Sequence, residues 1–600
     1  GQLSSETMAR LLSGADVGQE LWEVFEGDIP TVDFYIPQLA FLMVFRAADF
    51  PFLRDIVIKL CQHQVHLSLH FFWMVLAMEE GSLEGHRTDA EGLRQQVYAA
   101  ATATAHGAQV SPRCRQRAAL FQDELWFVSQ LCGAAREIAT LKHEERSGKL
   151  QHLLQQLNAQ LETKEVYLPL SACVNPADRI IRIAHEETVI FHTWARAPFM
   201  VFFEVVPRDT ETEAEVDEAA ATELDPDETY QGEERDILTK VGEKMLWAPR
   251  VRRLQKNSPY GNRRGWQVQS CIVKEDDDLR QERFASQLLT QFHLIFREFN
   301  LALQVFPYDV VPLSGTSGLI QTIPDAITLA TLRTTLSPTG RSTLLQYFTA
   351  AYGGQKTTRF KDAQHNFARS LAGYSLFCYL LKVKDRHDDN IMITKDGYIV
   401  HIDFGEMLSR QMAIEVEDAP FKLTSEFVEV MGGQDSTAFH EYKALMKRGF
   451  LKLRKRYYQI EMLVSAMQAP GNHPVRCVSE RTVDELLNRF QLYLSKTEAT
   501  QFMEDLISSA LANVSTRAVD WLCVGTPWRV IFRRYSTYSS LGRNPTVVSM
   551  LQKVDVARAN AVSYGNAYLG TLPRASSAPE PPTPPPLPSP QGKEHTRIQL

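Results

Sequence analysis

The chain has 600 residues, 44% of them hydrophobic and 23% charged, which is enough for two or three domains with their own cores and excludes a disordered protein. A formal net charge of −8 excludes a general nucleic-acid binder, whose balance would be basic. No apolar run approaches the roughly 20 residues that span a bilayer, and the opening Gly1-Gln2-Leu3-Ser4-Ser5 does not read as a signal peptide. The expectation is a protein working in the cytoplasm or on the cytosolic face of a membrane.

Residues 1–80 read as an all-α helical domain; Leu53, Ile56, Val57 and Leu60 fall at the spacing of one helix face. His63, His66 and His70, with Cys61 nearby, share such a face and could bind zinc, but Leu67, Leu69, Phe71, Phe72 and Trp73 around them favour a partly polar helix face. The eight cysteines are otherwise scattered singly, which suits reduced thiols rather than a disulfide framework. Residues 81–118, with weaker periodicity, read as a connector. Helical pattern returns over 119–165, from Leu120 to Leu141 and at Leu150, Leu154, Leu157 and Leu161.

The period then changes. Thr188–His192 and Phe199–Val206 read as two strands of a hairpin joined through Thr193 to Pro198. Residues 209–234 carry twelve acidic residues and no Lys or Arg, so the expectation is a disordered acidic insertion. A strand is expected at Trp266–Lys274, helix from Gln281, and strands again between Gln304 and Thr322. After residue 527 comes an extension whose residues 579–590 hold eight prolines, a polyproline-like tail that could dock an SH3 or WW partner or serve as a plain spacer.

The chemistry is concentrated between Asp385 and Gly405. Asp385-Arg386-His387-Asp388-Asp389-Asn390 is followed by Ile391-Met392-Ile393, a Lys395-Asp396-Gly397 turn, Tyr398–Ile402, and Asp403-Phe404-Gly405. Two short apolar strands around a turn would bring Asn390 and Asp403 together as oxygen donors of the kind Mg2+ prefers. Phosphoryl transfer needs such ligands, a group for the acceptor's proton, and positive charge on the phosphates. Protein kinases carry His-Arg-Asp with the Asn five residues after the Asp; here the triplet runs Asp-Arg-His with the same interval.

That reversed order resembles the phosphatidylinositol 3- and 4-kinase superfamily, and residues 120–526 are similar to its type III 4-kinases, the beta form more than the alpha. The similarity rests on Lys382-Val383-Lys384 before Asp385, on Phe421 to Gly433, and on Ser258-Pro259-Tyr260-Gly261. The resemblance implies an α+β fold: a two-lobed protein-kinase-like catalytic domain, with N-lobe 166–323 and C-lobe 324–526, behind the helical domain. It implies ATP with Mg2+, or Mn2+ in its place. Lys274, at the end of a strand, would hold phosphates, oriented by an acid among Asp278 and Glu282; Thr193 and Arg196 would cover them. Gln321 and Ile323 would flank the adenine. Asn390 and Asp403 would ligate metal, and Asp385, Arg386 and His387 would act on the acceptor hydroxyl, with Asp385 and His387 both open as base.

Between Phe404 and Lys422, Arg410 and Lys422 are the cations to meet a headgroup, against Glu406, Glu415, Glu417 and Asp418. So acidic a loop favours phosphatidylinositol over more highly phosphorylated lipids. The activity implied is transfer to its 4-hydroxyl, at Golgi-type membranes, with a Rab-type GTPase and adaptor proteins on the helical domain and no nucleic acid. Asp388-Asp389 in place of Asn-Gly, and Glu406 after Asp-Phe-Gly, depart from the family pattern. A protein kinase of the lipid-kinase-like group and an inactive scaffold of the same fold are the competing readings.

Overall fold

In the computed structural model, residues 7, 10, 17–80, 82, 84–102, 111–170, 178–191, 196–208, 233–336, 343–408, 419–468, 475 and 477–512 are described. All lie in one of the chain's two compact units, Gly1–Ile531; the second, Phe532–Leu600, lies outside the described residues. So do the acidic stretch before residue 233 and the proline-rich tail.

Among the described residues, seven helices precede the first strand from Gly18 on: α1 (Gly18–Gly27), α2 (Ile29–Phe45), α3 (Pro51–Cys61), α4 (Val65–Glu80), α5 (Glu84–Thr102), α6 (Pro112–Ala139) and α7 (His143–Leu161). Helix α2 begins where Asp28 accepts from the Thr31 N–H at 3.1 Å, with Pro30 in the first turn. It and α4 are apolar on nearly every side and are buried accordingly. The connector expected over 81–118 is corrected: most of it is α5 and the start of α6. Ala90, Leu93, Val97, Ala100 and Ala101 form the buried stripe of α5, and alanine at three of these five positions blurred the periodicity.

The small lobe is an antiparallel sheet ordered β1-β3-β4-β6-β5, with β2 paired to β3. Its strands are β1 (Asp178–Ile183), β2 (Val189–Ile190), β3 (Phe199–Pro207), β4 (Gln267–Glu275), β5 (Val310–Pro312) and β6 (Ser317–Gln321). Within it α8 (Glu233–Met245) and α9 (Trp247–Asn257) precede β4, and α10 (Arg280–Glu298) follows it. Lys274 on β4 pairs with Gly318 on β6, where a Cβ would stand 2.5 Å from the Val311 carbonyl oxygen. Only glycine lets the sheet close this tightly.

The large lobe contains β7 (Ala326–Thr328), α11 (Leu329–Leu336), α12 (Leu344–Tyr352), α13 (Thr358–Leu380), β8 (Ile391–Thr394) and β9 (Ile399–His401). It ends in α14 (Ser425–Val430), α15 (Thr437–Lys455), α16 (Tyr457–Ser465), α17 (Thr482–Phe490) and α18 (Lys496–Ala512). Strands β7, β8 and β9 form a second antiparallel sheet. One apolar core runs from the first helices through both lobes. Leu486 and Phe490 of α17 are fully buried, whereas Tyr493 is 80% exposed.

Helix α10 joins the helical region to the small lobe. Arg283 donates to the Asp33 backbone oxygen at 3.0 Å, Gln287 to the Phe34 oxygen at 2.6 Å, and Arg280 to the Ala77 oxygen at 2.9 Å. The histidine face also resolves into this junction. His63 is exposed, while His70 contacts Asp33 at 2.6 Å through Nδ1 and the Pro169 carbonyl at 2.9 Å through Nε2. His66 stands 3.9 Å from Asp33. Burial, with His70 beside it, pushes His66 down to about 3.

Candidate active site

The β8–β9 hairpin builds the centre of the site. Ile391 pairs with His401, and the Ile402 N–H donates to the Asn390 oxygen at 3.1 Å, so Asn390 and the segment leading into Asp403 run side by side. The Asn390 amide nitrogen donates to the Asp385 carbonyl at 2.9 Å. A carbonyl only accepts, so the amide oxygen of Asn390 is the atom left to face a cation. Asp385 and Asp403 both sit in left-handed backbone, at φ 60° and 58°. Aspartate tolerates this better than most residues, and backbone strain of this kind concentrates at functional sites. With Asp403 as partner, the Asn390 amide oxygen makes a hard-oxygen pair that fits a divalent ion.

His387 is buried between two carboxylates. Its Nδ1 accepts from the Asp389 N–H at 3.2 Å, and its Nε2 lies 3.8 Å from an Asp385 carboxylate oxygen. An Nδ1 that accepts holds a lone pair, so neutral His387 carries its proton on Nε2, toward Asp385.

Arg386, expected in the catalytic set, points the other way. Its guanidinium donates to the backbone oxygens of Lys384 (3.0 Å), Ile402 (2.8 Å) and Asp403, over the Phe404 ring. It fastens the Asp385–Asn390 loop to the segment that carries Asp403. Lys422 is likewise corrected as a headgroup contact: it is 3% exposed, and its ammonium donates to the Arg386 oxygen at 3.0 Å and to Asp388 at 3.2 Å. Burial opposes ionisation of Asp388, but Lys422 and Arg333 outweigh it and hold the carboxyl below its usual range. The extra charge after His387 is therefore neutralised from below. Thr193 and Arg410 lie outside the described residues.

Lys274 projects from the end of β4, half-buried, with Asp277 at 3.3 Å. Burial would lower it, yet Asp403, Asp277 and Glu282 together hold it above its ordinary value. Arg196 pairs with the same Asp277 at 2.8 Å, which places it beside Lys274. Asp278, one of the two acids left open to orient Lys274, pairs with Arg280 at 2.8 Å. The acid that reaches the centre is Glu282, one helical turn further on: it accepts from the Phe404 N–H at 2.6 Å and from the Tyr308 hydroxyl. Burial and the charge of Asp403 push Glu282 upward, while Lys274 and its two donors pull it down. Nothing local in the sequence marked Tyr308 or Arg333.

At the hinge, the Gln321 side-chain oxygen accepts from the Asp309 N–H at 2.9 Å, and the Gln321 backbone N–H donates to the Asp309 carbonyl at 2.8 Å. Its amide is held by the neighbouring chain, so recognition of adenine near Ile323 would fall to backbone groups.

Residues 269–474 match the family described as phosphatidylinositol 3- and 4-kinase. Over 281 residues the chain is 37% identical to phosphatidylinositol 4-kinase beta of Danio rerio, covering 47% of this chain and 33% of that protein. It is 41% identical over 281 residues to phosphatidylinositol 4-kinase beta 1 of Arabidopsis thaliana, covering 46% and 25%. Against a phosphatidylinositol 4-kinase of Dictyostelium discoideum it is 40% identical over 275 residues, covering 46% and 23%. The chain thus spans a third or less of the length of these relatives.

Proposed function

From residues 269–474, which match the phosphatidylinositol 3- and 4-kinase family, and from the likeness to phosphatidylinositol 4-kinases of the beta type, we propose a lipid kinase that transfers the γ-phosphate of ATP to the 4-hydroxyl of phosphatidylinositol. The observation that carries this reading is the convergence of Asp385, His387, Asn390 and Asp403 on the β8–β9 hairpin, opposite Lys274. Lys274 and Arg196 would hold the phosphates, and Asn390 and Asp403 would hold Mg2+, which would offset the charge developing on the transferred group. The inositol hydroxyl oxygen attacks the γ-phosphorus as the bond to the β,γ-bridging oxygen breaks, and ADP leaves.

His387 keeps its proton on Nε2, so the hydroxyl proton passes to the Asp385 carboxylate, and the His387 N–H donates into the site. A positioned base of this kind contributes about 10²- to 10⁴-fold. The choice of unphosphorylated lipid gains support from Lys422: one of the two cations expected to meet a headgroup is committed to Asp388 and the Arg386 carbonyl. The 4-hydroxyl rests on the relatives' names. We place the enzyme at the surface of Golgi-type membranes, with a Rab-type GTPase or adaptor on the helical domain. No described helix is long and apolar enough to cross a membrane.

The test is turnover on liposomes of phosphatidylinositol, of phosphatidylinositol 4-phosphate, and on protein substrates in parallel. Product from the first alone supports the reading; transfer to protein alone moves the chain to the lipid-kinase-like protein kinases.

A further inference from the structure

Asp388 lies between the proposed base and the proposed metal ligand, and its carboxylate is 8% exposed. Two cations from distant parts of the chain close on it. Arg333 of α11 reaches its Oδ2 at 2.7 Å through Nε, and Lys422 reaches its Oδ1 at 3.2 Å. The same guanidinium forms a bidentate pair with Glu426 of α14, at 3.0 and 2.6 Å. Glu426 in turn accepts from the Leu344 N–H at 2.6 Å, at the start of α12. Lys422 also holds the Arg386 carbonyl in the catalytic loop. Two carboxylates and two cations, largely out of water, thus join α11, α12, the catalytic loop and the segment running from Lys422 into α14.

We propose that Arg333 is a positioning residue for phosphoryl transfer: by clamping Asp388 to Glu426 it fixes the orientation of His387 and Asn390, two positions that its own side chain does not touch. The inference rests on the kinase reading of this site. The physical case is that the cluster is closed in charge. Without Arg333, Asp388 is left with Lys422 and Glu426 with the Leu344 N–H, and a buried carboxylate that loses a partner moves toward water or toward another cation. The two residues after Asp388 are tied back to His387, Asn390 N–H donating to the His387 oxygen at 2.9 Å and Asp389 N–H to its Nδ1 at 3.2 Å, so a shift of the Asp388 backbone is passed to both His387 and Asn390. Bidentate geometry belongs to arginine's planar fork, so lysine at 333 can replace the charge but not the fork.

The experiment compares the full chain with Arg333→Gln, Arg333→Lys, Asp388→Asn and the Arg333→Gln/Asp388→Asn double variant. Steady-state kinetics on phosphatidylinositol liposomes give kcat and KM for ATP, and amide hydrogen exchange is followed at residues 389 and 390 in protein without nucleotide. Arg333→Gln is expected to lower kcat at least tenfold with KM for ATP within threefold, and to speed exchange at these amides at least tenfold. Arg333→Lys is expected to recover part of kcat. The double variant is expected to exceed Arg333→Gln at least threefold, since removing the orphaned carboxylate removes the reason for the loop to move. Arg333→Gln with kcat and exchange both unchanged would overturn the proposal, as would losses in the double variant that multiply. If the unsubstituted chain transfers no phosphate to lipid, the kinase reading fails, while the exchange measurement still decides whether Arg333 orders the loop.

Discussion

Glu282, rather than Asp278, is the acid that connects α10 to the reacting groups, and exchanging each for its amide separates the two. Glu282 is 5% exposed and receives two donors, the Phe404 N–H and the Tyr308 hydroxyl, on its two oxygens. Glutamine has one oxygen, which the Phe404 N–H keeps, while the Tyr308 hydroxyl turns to accept from the NH2 group. Both bonds then fall from the charged to the neutral range, a loss of about 2–3 kcal/mol together. If all of that falls on the arrangement of Lys274 and Asp403 competent for transfer, kcat/KM for ATP drops by about 30- to 150-fold, at 1.36 kcal/mol per tenfold. Asp278→Asn removes a carboxylate that is 20% exposed and paired to Arg280, which keeps its bond to the Ala77 oxygen. Its kcat/KM for ATP should stay within threefold. ATP kinetics on both variants, with urea midpoints to confirm folding, decide the matter. An Asp278→Asn loss equal to or larger than that of Glu282→Gln would refute the assignment.

Three further outcomes follow from buried charge. Lys422→Met should destabilise by about 3–5 kcal/mol, as expected for breaking a buried pair, with KM for phosphatidylinositol unchanged in the residual activity; a tenfold rise in lipid KM at full stability would restore the headgroup role. Glu124 is fully buried, accepts from the Tyr167 N–H and is pushed well upward, first by burial, so its contribution is complete below about pH 4.5 and is lost as pH rises toward the folded value. Glu124→Gln should therefore gain on the parent chain between pH 5 and pH 8 in thermal melts, and a constant difference would contradict this. His66, held down at about 3, has the opposite sign: its contribution is present above about pH 6.5 and lost as pH falls, by up to about 2 kcal/mol at pH 5. His66→Gln should shrink the gap between urea-derived stabilities at pH 7.5 and pH 5 by that amount, and an unaltered gap counts against it.

What could be read locally was read from the sequence. The strands around Lys395-Asp396-Gly397 stand where the apolar runs put them, as do the strand ending near Lys274 and the hairpin of β2 and β3, because each is a short-range pattern of alternation and turn. Helix α5 is obscured in the sequence because alanine fills much of its buried face. The partners of Arg386 and Lys422 are illegible there for another reason. A cation near an active-site motif looks the same in sequence whether it meets a substrate or a backbone carbonyl. The partners that decide it lie 16 positions away for Arg386 and Ile402, and 34 for Lys422 and Asp388. The same distance hid Arg333, whose contacts to Asp388 and Glu426 span 55 and 93 positions.

The central claim is tested most directly by incubating the protein with γ-labelled Mg-ATP and phosphatidylinositol liposomes and locating the label on the inositol ring, with Asp403→Ala as control. The account predicts label at the 4-position that disappears in the control. Folded, ATP-binding protein that leaves the lipid unlabelled would contradict it.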